Sequence, residues 1–419
     1  MRFVSTRSTS PPLTLSEAIQ TSIAPDGGLY IPENFPAFQI SDFDGMDSWK
    51  EIGAKLLAPF FSGDVLETQL DEICREAFSF SIPLKFIGPD TAVLQLFHGP
   101  TAAFKDVGAR FLAACIARLP GRRTVLVATS GDTGGAVAAA FAEHPEVKVV
   151  ILFPKGKVSL RQQQQLTCWG DNVRAFAVRG DFDDCQRVVK TAFANKPWAE
   201  ARGLLSANSI NIGRLLPQTV YYAAASLWYL RERGAPPGFI IPTGNLGNAV
   251  AAFWAREMKL PVREIVLVTN ANRAVADFFA SGSWEPQATI PTLANAMDVG
   301  NPSNMERLIN LHPEMTELRN IAQAFSVSDK EIADTIARGR DRWQQTWCPH
   351  TATAVNVREG LATKDWVIVA TAHPGKFESI VEPLVEERVD PPPALAKLLE
   401  QPSRFEELEP EFVALASAL

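Results

Sequence analysis

The chain has 419 residues, 46% of them hydrophobic and 21% charged, with a formal net charge of −7. That length exceeds one typical domain and allows two lobes, each with a full core. The acidic balance argues against a nucleic-acid surface, and no apolar run approaches the ~20 residues that span a bilayer.

The opening, MRFVSTRSTSPPLTLSEA, has no apolar stretch of the kind a secretory leader carries. Five scattered cysteines form no CxxC pair, and five dispersed histidines form no HExxH, so neither a disulfide framework nor a metal centre is indicated. The nearest approach to a ligand pair is CPH at 348–350. The expectation is a cytoplasmic protein without a metal.

Residues 1–80 mix turns (APDGGLYIPENFP) with amphipathic runs such as SWKEIGAKLLAPFF and ETQLDEICREAF. The pattern then changes. RTVLVAT, VKVVILFP, VRAFAV, GFIIPT, EIVLVTN and DWVIVAT read as buried strands, short and Val/Ile-rich. Between them lie helical stretches: GGAVAAAFAEH, LPQTVYYAAASLWYLRERG and NAVAAFWAREM. RQQQQL at 161–166 reads as a polar helix face. Such alternation implies an α/β fold whose sheets are mostly parallel, with helices on both faces.

Three polar, Gly-bearing turns follow strands: ATSGDTGG after 124–128, PTGNLGN after 239–241, and TAHPGK after 367–370. Gly and Asn suit any strand-to-helix turn. Three turns more polar than a connection needs, all at carboxyl ends, point to one shared site. TGNLGN, 243–248, precedes a helix; small residues there let backbone N–H groups approach a phosphate at the positive end of the helix dipole. It is neither a P-loop nor GxGxxG, which disfavours ATP and NAD. Asp132 in SGDTGGA would repel a phosphate and suits a donor or hydroxyl instead. NSINIGR, 208–214, offers amide, hydroxyl and guanidinium to an anion. Asn208 as a helix cap and Arg214 as a solvated cation remain the open alternatives. Lys105 sits in FHGPTAAFKD, behind a Gly-Pro turn and between a Phe and an Asp, a frame that a lysine on a solvated helix face does not need.

In order, FHGPTAAFKD, TSGDTGG, NSINIGR, PTGNLGN, MDVGNPSNMERL and TAHPGKF resemble the bacterial and fungal threonine synthases, the long-chain branch of the fold type II pyridoxal-phosphate enzymes. STR and APDGGLYIPE resemble that family's opening. The resemblance runs from about residue 2 to 380, and the Pro-rich tail after Val389 is not distinctive. Ala102 stands where larger residues such as Leu are common in the family.

The resemblance implies a tryptophan synthase β-like, two-lobed fold: an N-terminal subdomain at 1–80, a large cofactor-binding lobe at 81–107 and 225–388, a small lobe at 108–224, and a tail at 389–419. It implies that Lys105 holds pyridoxal 5'-phosphate as a Schiff base and then works as general base. Burial would make its neutral amine accessible, provided Asp106 points away or binds another donor. Gly244, Asn245, Leu246, Gly247 and Asn248 would cradle the cofactor phosphate, Asp132 would lie near the cofactor's 3-oxygen, and Thr371 would meet the pyridine nitrogen. Asn208, Ser209 and Arg214 would bind the substrate's phosphate.

The implied reaction converts O-phospho-L-homoserine and water to L-threonine and phosphate, in a monomer or homodimer that binds neither nucleic acid nor membrane. A phospholyase releasing a keto acid and ammonia needs nearly the same site. A non-catalytic metabolite-binding protein needs only the fold.

Overall fold

The computed structural model describes residues 1–129, 131–362 and 364–419. Ser130, within the TSGDTGG turn, lies outside them. The described strands are β1 (Phe3–Ser5), β2 (Tyr30–Pro32), β3 (Leu84–Phe86), β4 (Thr91–Gln95), β5 (Arg123–Ala128), β6 (Val147–Pro154), β7 (Val173–Val178), β8 (Leu204–Ser206), β9 (Gly238–Pro242), β10 (Ile265–Thr269), β11 (Ala322–Ser326), β12 (Trp366–Ala370) and β13 (Glu406–Leu408). The six Val/Ile-rich runs read from the sequence are β5, β6, β7, β9, β10 and β12, and every residue of β9, β10 and β12 is buried. Strands buried on both faces carry near-continuous apolar runs, and this is why these were legible.

Two sheets organise the chain. One has the order β11-β10-β9-β12-β4-β3 and the other β13-β7-β6-β5-β8. All neighbours pair in parallel except β3, which runs antiparallel to β4. β1 and β2 form a separate antiparallel ribbon near the N-terminus. The fold is therefore α/β, with two mostly parallel sheets and an N-terminal ribbon, as the resemblance implied.

The N-terminal helices Trp49–Phe61 and Leu70–Ala77 bury Phe60, Phe61 and Ile73 in the same core as Phe111. Phe78 stacks on Phe111 with centroids 6.1 Å apart. Gly53 permits this approach, because a Cβ there would lie 2.8 Å from the Phe78 ring. The last segment adds β13 beside β7. Glu406 and Glu407 are exposed and pair with Arg174, Lys155 and Arg179, so this edge is joined by charge as much as by apolar contact. No helix among the described residues is long and apolar enough to cross a membrane.

Candidate active site

Residues just beyond the carboxyl ends of β5, β8, β9 and β12 line one cleft of about 990 Å³ together with Lys105. This is where parallel α/β sheets place ligands. Lys105, Asp132, Asn208, Ser209, Arg214, Gly244 through Asn248 and Thr371 all line it, although they come from distant parts of the chain.

Lys105 begins the helix Lys105–Ala117. The turn before it is stitched to the end of β12: the amide of Phe104 donates to the Thr371 carbonyl at 2.8 Å, and that of His373 to the Ala102 carbonyl at 3.0 Å. Ala102 is fully buried with φ +55°, in the left-handed region, where the small methyl group limits the strain that a larger side chain would add. Asp106 turns from the lysine and accepts from Thr101, at 2.9 Å from the amide and 2.7 Å from the hydroxyl. Gly99 makes room for it, since a Cβ there would lie 2.4 Å from Oδ2 of Asp106. With Asp106 so engaged, burial lowers the Lys105 ammonium to about 8, opposed by Asp132 and assisted by Lys376 and Arg214. A lysine so placed offers a neutral amine near physiological pH.

The turn after β9 leads into the helix Gly247–Glu257, with Leu246 at φ +60° aiming the first turn into the cleft. Amides of a first helical turn have no intrahelical acceptor and suit an anion. Gly244 is held to a hydrogen side chain, because a Cβ would sit 2.7 Å from Cα of Met297. The Asn248 side chain is engaged by two tyrosines. Its Oδ1 accepts from the Tyr221 and Tyr222 hydroxyls at 2.5 and 2.7 Å.

Ser209 lies against that turn. Its Oγ accepts from Asn245 Nδ2 at 2.8 Å and from Asn304 Nδ2 at 3.1 Å, which leaves its own proton to donate. The cap of the short helix Ile212–Leu215 is Asn211, whose Oδ1 accepts from the Gly213 amide at 2.9 Å. The capping alternative for Asn208 therefore fails, and its side chain stays at the cleft. Arg214 is buried, so it is not a solvated cation. One of its terminal nitrogens donates to the Ala207 carbonyl, its Nε has no partner among the described residues, and burial lowers it to about 10. A buried, incompletely paired guanidinium calls for an anion.

Thr371 is buried, and its Oγ1 also lacks a partner among the described residues. Asp132 is buried too and pairs with Lys376 Nζ at 3.1 Å. Burial opposes ionisation of Asp132, but the ammonium groups of Lys376 and Lys105 hold it below the usual carboxylate range. Gln162, on the polar face of the helix Leu160–Thr167, approaches Asp132 at 3.5 Å and is itself buried. An amine of lowered proton affinity, an orphaned hydroxyl and a glycine-lined helix terminus in one cleft fit pyridoxal phosphate.

Sequence reasoning gave no role to three further residues. Lys376 is the next-to-last residue of the TAHPGKF block. Arg307, within MERL, is fully buried and donates to the carbonyls of Tyr30, Ser209 and Ile210. His350 accepts the Ala296 amide at Nε2, and its neighbour Cys348 caps the helix Pro349–Gly360 through Thr351, so the CPH run serves local structure. No cluster of three or more His, Cys, Asp or Glu with metal-binding geometry occurs among the described residues.

Three family models match the chain: pyridoxal-phosphate dependent enzyme at residues 86–372, threonine synthase N terminus at 2–78, and threonine synthase, C-terminal at 351–418. The last carries the likeness through the tail, well past residue 380. Threonine synthase of Escherichia coli K12 is 36% identical over 410 residues, covering 96% of this chain and 95% of that one. Threonine synthase of Haemophilus influenzae is 36% identical and covers 97% and 96%. Among solved structures, PLP-bound threonine synthase from Brucella melitensis superposes with a TM-score of 0.93 at 34% identity, covering 100% and 98% of the two chains. The yeast threonine synthase structure gives 0.90 at 26% identity, covering 100% and 97%.

Proposed function

This chain belongs to the threonine synthase family of pyridoxal-phosphate-dependent lyases, and from that premise we propose that its cleft converts O-phospho-L-homoserine and water to L-threonine and inorganic phosphate. The observation that carries the reading is the junction at Ser209. There the Gly244–Asn248 turn and the Asn208–Arg214 segment meet through Asn245 and Asn304, in the cleft that also holds Lys105. Two anion sites within reach of one amine suit a phosphorylated cofactor and a phosphorylated amino acid together.

In this reading Lys105 would hold the cofactor, the amides of Gly244 through Asn248 would bind its phosphate, Thr371 would donate to its ring nitrogen, and Asp132 would serve its 3-oxygen. Once bound, the cofactor supplies an electron sink for charge developing beside the amino-acid carbon. Lys105 would take the proton from Cα and move protons at Cβ and Cγ as the Cγ–O bond to phosphate breaks. Water then adds at Cβ, and a proton returns to Cα. Asn208, Ser209 and Arg214 hold the departing phosphate, with the guanidinium offsetting its growing charge.

The five free cysteines suit a reducing compartment, and we place the enzyme in the cytoplasm, as a monomer or homodimer. Incubation with O-phospho-L-homoserine and identification of the products tests the reaction. Threonine and phosphate in equal amounts support it. A keto acid with ammonia and phosphate makes the protein a phospholyase instead, and no phosphate release removes both.

A further inference from the structure

Lys376 is fully buried at the meeting point of three loops. Its Nζ donates to the Thr101 carbonyl at 2.6 Å, in the turn that leads to Lys105, and lies 3.1 Å from Asp132 Oδ1, in the turn after β5. Its own backbone belongs to the 3₁₀ turn Pro374–Lys376, a few residues beyond Thr371. A lysine this deep is rarely kept without an ionised partner, and Asp132 is that partner. We propose that Lys376 is a positioning residue of the reaction: it pairs with Asp132 at 3.1 Å, so that this buried carboxylate does not hold the reacting Lys105 in its charged form.

Asp132 and Lys105 attract each other, so the proton affinity of Lys105 depends on how far Asp132 is already neutralised. The other groups facing this set are Arg214 beside Lys105, Asp106 closed onto Thr101, and the neutral rings of His350 and His373. None of them sits on Asp132 as Lys376 does. Removing Lys376 takes away its own repulsion of Lys105 and leaves Lys105 as the other ammonium acting on Asp132. The lysine then gains proton affinity, and less of it is neutral at a given pH.

The inference rests on the role given to Lys105, but its test needs no turnover, so failure of the proposed reaction leaves the measurement intact. The full-length chain, freed of cofactor, is treated with acetic anhydride across a pH series, and acetylation of the Lys105 peptide is followed by mass spectrometry. The parent should show a midpoint near 8. Lys376→Met should move it upward by about one pH unit or more, roughly a tenfold loss of neutral amine at pH 7. Lys376→Arg, which keeps the charge, should stay near the parent, and Asp132→Asn added to Lys376→Met should bring the midpoint back. A midpoint unmoved in folded Lys376→Met, or a shift that persists after Asp132→Asn, overturns the proposal. Should Lys376→Met not fold, Asp132→Asn alone decides: it should lower the Lys105 midpoint, and no change rules out the coupling.

Discussion

The backbone amide of Ala296 donates to Nε2 of His350 at 3.1 Å, which places the neutral ring's proton on Nδ1. That bond ties the loop carrying Met297 and Asp298 to the helix Pro349–Gly360 behind the cleft. It exists only while Nε2 is unprotonated.

Burial lowers His350 to about 4, with Asp132 pulling upward and Lys105 and Lys376 downward. In the unfolded chain the ring titrates at ~6.5. Between these values the unfolded state binds more protons, so stability is fully present above about 6.5 and falls as the pH drops toward 4. One ring contributes on the order of 3 kcal/mol across that window. Urea midpoints at pH 7 and pH 4.5 should separate less in His350→Gln than in the parent, and an equal separation would remove His350 from the acid response.

Asn248 Oδ1 is the acceptor for both Tyr221 and Tyr222, all three being buried. Asn248→Ala strands the Tyr222 hydroxyl, while Tyr221 can turn its one proton to Gln218 Oε1, 3.0 Å away. A buried donor left without a partner costs ~1–3 kcal/mol, whereas Tyr222→Phe removes the donor itself and should cost about 1 kcal/mol. Chemical denaturation of the two variants should give this order. The reverse order would mean that the Tyr222 hydroxyl is not left without a partner when the amide is removed.

Lys105→Ala should fold and lose the visible absorbance that borohydride bleaches in the parent. The helix Lys105–Ala117 keeps its first turn through the Asp106–Thr101 bonds, so the change should leave stability nearly unaltered. A borohydride-fixed cofactor recovered on another lysine in the digest would reassign the residue.

The sequence made the buried strands and the cleft loops readable for one shared reason. Doubly buried strands carry unbroken apolar runs, and the turns at their ends carry polarity that no packing requirement explains. β3, β4, β8 and β11 are short or mixed, and β13 is a Glu-Glu-Leu edge held partly by arginines more than two hundred residues away. No local pattern could announce them. The same holds in the site. Lys376 meets Thr101 across 275 residues, and Arg307 meets Tyr30 across 277. Their types and neighbours in sequence look like ordinary surface charge, and only the fold shows that both are buried.

Arg214→Ala should weaken O-phospho-L-homoserine far more than the cofactor. Its guanidinium is buried with Nε free of partners among the described residues, and Gly108 lets its backbone approach the Lys105 helix, a Cβ there coming within 2.4 Å of the Arg214 carbonyl. Loss of hydrogen bonds to a charged group costs ~1.5–3 kcal/mol, roughly a tenfold to hundredfold rise in KM. Inorganic phosphate should lose its ability to inhibit in parallel. A variant that instead releases pyridoxal phosphate at unchanged substrate affinity would move Arg214 to the cofactor phosphate.

Thr371 gives the sharpest test of the cofactor's surroundings. Its backbone is fully used: the carbonyl accepts from Phe104 at 2.8 Å and the amide donates to Thr351 Oγ1 at 3.3 Å. Its hydroxyl is not, being buried at the cleft with no partner among the described residues. A threonine that merely finished its strand would turn that oxygen onto a nearby carbonyl. Beside a pyridine nitrogen, the hydroxyl can donate a hydrogen bond without bringing a charge. Thr371→Val keeps the shape and removes the donor, and in the cofactor-free chain it should be neutral or slightly stabilising because an unpaired buried hydroxyl disappears. In the loaded enzyme, cofactor affinity should fall by roughly 5- to 15-fold, as expected for ~1–1.5 kcal/mol of hydrogen bonding, and turnover should fall with it. Thr371→Asp should favour a protonated ring and change the partition between threonine and side products. Cofactor affinity and kinetics of Thr371→Val equal to the parent's would show that the hydroxyl never reaches the ring.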